Sequence, residues 1–288
     1  MSADFSTHEA ERLWDGSRPS RLRTMGLMAA VAVGLALIVV APPALEQQSI
    51  SPWVSVALPW GVFGLIVWSG WQASRRQGRV VRDLMTAREA ADLNDWPQVA
   101  RCVRRLLARP VRPPQARYHA YLLYGAAAER SGSHAAGERA FELLLGDENS
   151  DPAAKYHAAI GLAALKLRTE QLTDAVRLLD RLRRIELPPP LEAGRELVRL
   201  FQEVLMGHYD DAIAEFERRR ALFRRHLSTR AGYGYGLFAA AFHARGRTED
   251  AATQWRDATL MLPPELLVER YELLRPVAQS YAASVRPE

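Results

Sequence analysis

The sequence predicts an all-α chain, with two apolar N-terminal helices followed by a series of helical hairpins. Three observations lead there. Two long uncharged apolar runs lie between residues 25 and 71. Beyond Arg79, apolar residues recur at spacings of three and four, the period of a helix face, and no segment alternates as a strand does. Turn residues punctuate that stretch about every 15 to 20 residues, the cadence of short helices joined by tight turns.

Residues 25–41 (MGLMAAVAVGLALIVVA) form a run of 17 residues without a charge, and residues 53–71 (WVSVALPWGVFGLIVWSGW) form one of 19. A helix needs about 20 apolar residues to cross a hydrocarbon core of about 30 Å, so each run predicts a transmembrane span. Trp53, Trp60, Trp68 and Trp71 put indoles near the ends of the second run, where amphipathic rings favour the headgroup level. Pro59 is tolerated near the start of a membrane helix. Gly26, Ala30 and Gly34 make a small-residue ridge suited to packing on the second span, or less readily to dimerisation.

Arginines set the orientation, because basic residues resist translocation. Arg12, Arg18, Arg21 and Arg23 precede the first run, Arg75, Arg76, Arg79 and Arg82 follow the second, and residues 42–52 between them have none. A multi-pass protein of the bacterial inner membrane is predicted, with both termini and the helical region cytoplasmic. The rival is a cleaved signal peptide ending near Ala41 or Ala44. A long apolar run with a second close behind argues against it.

The net charge of +5 is local. Between Arg75 and Arg117 stand 11 arginines and 4 acidic residues, while residues 118–288 carry 23 basic and 24 acidic residues. The basic excess sits beside the apolar runs, which points to anionic lipid and away from nucleic acid. Arg75, Arg76, Arg79, Arg82, Arg101, Arg104 and Arg105 are the candidate lipid-facing residues. Cys102 is the only cysteine, which excludes an internal disulfide and multi-cysteine metal sites.

The most regular stretch is residues 232–263, GYGYGLFAAAFHARGRTEDAATQWRDATLMLP. Tyr235, Phe238 and Phe242 stand at large apolar sites of a first helix and Ala239 at a small one. Gly246 makes the turn, Ala251, Trp255 and Ala258 follow on a second helix, and Pro263 closes it. This unit resembles the tetratricopeptide repeat (TPR), a helix–turn–helix unit. Gly207 to Phe216 repeats the turn and second helix, although Glu196 and Arg199 occupy usually apolar sites of its first helix. Two more units start near Tyr118 and Tyr156, and a degenerate one covers residues 80–109 with its turn at Asn94, Asp95 and Trp96. A plain helical bundle is the alternative.

The resemblance implies a TPR-like α-solenoid. The predicted organisation is a cytoplasmic tail (1–24), a two-helix transmembrane hairpin (25–72), a basic juxtamembrane region with the degenerate repeat (73–117), repeats (118–264), and a capping helix with a tail (265–288). It also implies a concave groove lined by first helices, where protein or peptide partners bind. Transferred position by position, the groove residues are His119, Leu122, Ala126, Glu129 and Arg130; His157, Ile160, Ala164 and Arg168; and Tyr233, Ala240 and His243.

No constellation for catalysis accompanies them. The only lysines, Lys155 and Lys166, follow no Gly-rich phosphate loop, and the seven histidines have no metal-binding spacing. The chain therefore reads as a scaffold or adaptor without an active site, metal or cofactor. The architecture of two spans, a basic junction and a repeat array is similar to that of HemY-type proteins. That resemblance implies an alternative, an accessory subunit of a membrane-associated biosynthetic enzyme for haem or the cell envelope. His119, His157 and His243 are then the candidate iron ligands, although isolated helix histidines are usually structural.

Overall fold

The computed structural model describes residues 5–18, 52–112 and 114–281. Every element among them is helical. The first apolar run, residues 25–41, lies outside the described residues, as does the extreme C-terminus. Among those described, no helix is long and apolar enough to cross a membrane. The chain divides into two compact units, Met1–Ala158 and Ala159–Glu288.

The first unit opens with α1 (Thr7–Ser17), a helix where the sequence reading has only a tail. The Ser6 hydroxyl accepts a hydrogen bond from the Glu9 N–H at 3.1 Å, satisfying a donor that the first helical turn leaves open. The long α2 (Pro52–Asp92) follows and begins with the second apolar run. It pairs through its last turns with α3 (Trp96–Leu107), and α4 (Pro114–Arg130) pairs with α5 (His134–Gly146). Pro152 then starts α6 (Pro152–Arg168), which continues into the second unit.

The second unit continues with α7 (Leu172–Arg183) and α8 (Pro189–Leu205). The segment expected as one second helix after Gly207 is broken at Glu215 into α9 (Tyr209–Ala214) and α10 (Phe216–His226). Next come α11 (Ala231–Ala244) and α12 (Thr248–Met261), a closely packed pair. The expected C-terminal helix over 265–283 is interrupted. Its pieces are α13 (Pro264–Arg270), a single 3-10 turn, and α14 (Arg275–Tyr281). Tyr271 takes an extended conformation at the break, and its buried ring packs on Phe201 with centroids 4.6 Å apart.

One turn geometry recurs in both units. Asn94, Gly132, Glu170, Gly207 and Gly246 all have positive φ, between 58° and 77°, and follow one another at intervals of 38, 38, 37 and 39 residues. In each case the next residue's N–H reaches back five positions to a helix carbonyl. The pairs are Asp95 to Ala90, Ser133 to Ala128, Gln171 to Lys166, His208 to Glu203 and Arg247 to Phe242, all at 2.8–2.9 Å. This bond satisfies a carbonyl that the helix end would leave open, and it reverses the chain.

Packing follows the turns. Seven residues before each one lies a buried residue, small in four cases: Ala87, Gly125, Ala163, Leu200 and Ala239. Five residues after lie Val99, Gly137, Ala175, Ala212 and Ala251, also buried. Small residues at both sites let two helix backbones approach. Gly125 is the tightest case, since a Cβ there would stand 2.7 Å from the Phe141 ring.

The polar departures in the second unit also have a packing reason. Arg219 is fully buried on α10, where the other second helices place Leu106, Leu144, Leu182 and Ala258. Its guanidinium meets Glu196 at 3.1 Å and Glu203 at 2.5 Å, both on α8, while Arg195 and Arg218 hold Glu196 from other sides at 3.0 and 3.2 Å. Burial opposes ionisation of Glu196, but Arg219, Arg218 and Arg195 outweigh it and hold the carboxyl below its ordinary range.

Two outcomes follow. Glu170→Gly relieves a left-handed backbone that costs a residue with Cβ roughly 1–2 kcal/mol, so the urea midpoint rises, while Gly246→Val lowers it. Arg219→Met takes the buried cation from two buried carboxylates, which keep only Arg195 and Arg218 at Glu196 and Arg199 at Glu203, and costs about 3 kcal/mol, the low end for breaking a buried pair, at pH 7 in urea titration. The Glu196 contribution is complete above an unfolded glutamate's pKa of about 4.3 and disappears as pH falls through the lower folded value. The deficit of Arg219→Met therefore shrinks in acid.

Candidate functional site

The first unit contains a cleft between α3 and α5, floored by α4 and occupied by α1. Phe5, Ala10, Leu13, Trp14 and Ser17 turn inward and are buried. Trp14 meets Tyr121 edge to face at 4.6 Å, and Phe5 meets Tyr124 in the same manner at 5.1 Å. The Tyr121 hydroxyl donates to the Ala10 carbonyl at 2.6 Å, and the Tyr124 hydroxyl to Glu9 at 3.2 Å. Burial raises both phenol pKa values above the usual range, so the hydroxyls stay protonated donors.

Charges fix the register of this helix. Glu9 takes two nitrogens of Arg104, at 2.7 and 2.9 Å, and Glu11 pairs with Arg139 at 2.8 Å. The Arg104 guanidinium also lies over the Phe5 ring at 4.3 Å, and that of Arg117 over Trp14 at 4.8 Å. Arg117 is held in turn by Asp147 at 2.9 Å. At the helix end, the Val111 N–H donates to the Ser17 carbonyl at 3.0 Å.

Arg104 was expected on a lipid-facing row, and here it is engaged by α1 and turned away from its neighbours. Arg101 and Arg105 are exposed on α3, and Arg75, Arg79 and Arg82 are exposed on α2. Arg75 lies over the Trp71 ring at 3.6 Å. The side chain of Arg76 is outside the described ones. Of the expected groove residues in this unit, His119 and His157 are exposed, Leu122 and Ala126 are half-buried, and Glu129 is buried. Arg130 lies over the Trp96 ring at 5.1 Å.

In the second unit two expected groove residues do come together. The Arg168 guanidinium stands 5.5 Å from the Tyr271 ring and 5.9 Å from Phe201, and Tyr233 meets Tyr271 edge to face at 5.8 Å. Burial first, and then neighbouring Arg270, bring the pKa of Arg168 down to about 9, so it remains a cation at neutral pH. Ile160, Ala164 and Ala240 are buried, and His243 packs edge-on to Tyr281 at 5.9 Å. A cation held among aromatic faces supplies no nucleophile or base. Among the described residues no group of three or more His, Cys, Asp and Glu side chains could hold a metal ion.

The sequence reading missed α1, Phe201, Arg270 and Tyr271. For α1 a signal existed, because Ser6 followed by Glu9 is a capping pattern ahead of Ala10, Leu13 and Trp14 at helical spacing. Tyr271 carried none, since its role arises from a break within an otherwise helical pattern. No family model, curated protein or solved structure matches the chain.

Proposed function

We propose that the chain is a membrane-anchored, TPR-like scaffold whose helical hairpins bind protein partners at the cytoplasmic face of the bacterial inner membrane. The observation that carries this reading is the docking of α1. Helix α1 and the last turns of α2 both pack within the first unit, and both uncharged apolar runs lie between them in sequence. With both ends of that stretch fastened to one folded body, any crossings of a bilayer are even in number. The two uncharged runs, of 17 and 19 residues, are the stretches such a pair would use, although α2, which holds the second, falls short of the apolarity of a crossing helix.

The exposed surface of α2 supports the anchor. Trp60, Phe63, Val67, Trp68 and Trp71 are 50–69% exposed in succession along one helix, an arrangement that water disfavours and hydrocarbon accepts. Arg75, Arg79 and Arg82 follow at once, as expected where a helix leaves an anionic leaflet. The TPR likeness draws support from the periodic turns and small crossing residues, although a repeat near 38 residues is longer than the 34 of that family. Partner binding is the use such arrays make of their first-helix surfaces, and His119 on α4 and His157 on α6 are exposed there.

Crosslinking and affinity purification from native membranes washed with alkaline carbonate tests both halves. The whole chain is expected in the washed pellet with a defined partner set, which a His119→Glu/His157→Glu variant loses. Release into the carbonate supernatant would overturn the anchor. An unchanged partner set in the variant would remove the groove assignment.

A further inference from the structure

The α1 cleft brings aromatic and cationic groups together. Its walls and floor supply two aromatic faces, Tyr121 and Tyr124, and three arginines, Arg104, Arg117 and Arg139, drawn from three different helices. What it holds is complementary in each respect. Two aromatic anchors stand nine residues apart, at Phe5 and Trp14, with acidic groups between them at Glu9 and Glu11. The backbone is read as well, through the Ala10 and Ser17 carbonyls.

The occupant is weakly helical alone. An isolated helix of 11 residues is marginal in water, because its nucleation cost is spread over few hydrogen bonds. Its order therefore comes from docking, and it is joined to the unit through a covalent tether. Undocking of such a segment would uncover the tyrosines and break the Arg104–Glu9 and Arg139–Glu11 pairs.

We propose that this cleft is a receptor for short acidic amphipathic helices bearing two aromatic anchors, that α1 is its resident occupant, and that a partner's helix of the same chemistry enters by displacing it. Occupancy by α1 then sets the threshold for recruitment. A tethered occupant competes intramolecularly, so only a helix that binds well or is itself held nearby replaces it. The proposal goes beyond membrane anchoring and does not depend on it, because every residue involved lies in the first unit.

The test uses the full chain in mild detergent and a labelled peptide of residues 5–18 as the probe. In a Phe5→Ala/Trp14→Ala host, where α1 has lost its anchors, fluorescence anisotropy is expected to show saturable binding at least tenfold tighter than to the wild-type chain. Adding Arg104→Glu to that host abolishes binding, and a peptide carrying Glu9→Arg restores it. A Glu9→Arg chain serves as a second host in case the double substitution loosens the unit. Absence of saturable binding in a host that keeps the wild-type circular dichroism overturns the proposal. Equal binding to wild-type chain and host also overturns it, since the peptide would then lie elsewhere.

Discussion

Among the described residues, five turns between consecutive helices close on one residue in the left-handed conformation. That constraint fixes much else. With the turn residue at positive φ, the following N–H caps the preceding helix, and the residues seven before and five after are buried. The pairing of Gly125 with Phe141 shows how little room remains at such a crossing, since a single methyl group would collide with the ring. Glycine meets the requirement at three of the five turns, and Asn94 and Glu170 meet it at an energetic cost.

The same framework explains where charge has entered the interior. At Arg219 the packing site that elsewhere takes an aliphatic side chain holds a guanidinium, and α8 answers with Glu196 and Glu203. Each carboxylate also has other arginines, Arg195 and Arg218 at Glu196 and Arg199 at Glu203, whereas the fully buried Arg219 is compensated by these two glutamates. The aromatic cluster around Arg168 follows a different rule: a cation is accommodated by the faces of Phe201 and Tyr271 and by the extended backbone at Tyr271 that brings its ring there.

These features differ in how plainly the residues announce them. The all-α class and the turn positions at Asn94, Gly207 and Gly246 were legible, because helical periodicity and turn-forming residues act locally. Glu170 was not, since nothing about a glutamate signals a positive φ. Glu196 was visible as an anomaly, and its cause lay 23 positions away at Arg219, a distance no local pattern spans. For α1 the capping pair and the apolar spacing were present in the chain, while the cleft that gives them meaning is assembled from α3, α4 and α5. Arg104 illustrates the converse: it belongs to a basic series by sequence and to Glu9 by geometry.

Docking of α1 gives the account its centre, since it ties the beginning of the chain to the hairpins across the apolar stretch. The most direct measurement is side-specific labelling of single cysteines in a Cys102→Ser background, in intact spheroplasts and in inverted vesicles. Ala3→Cys and Leu93→Cys, flanking the stretch, should react only from the cytoplasmic side, and Ser49→Cys, between the apolar runs, only from the opposite one. Labelling of Ala3→Cys and Leu93→Cys from opposite sides, or of all three from one side, would contradict the account.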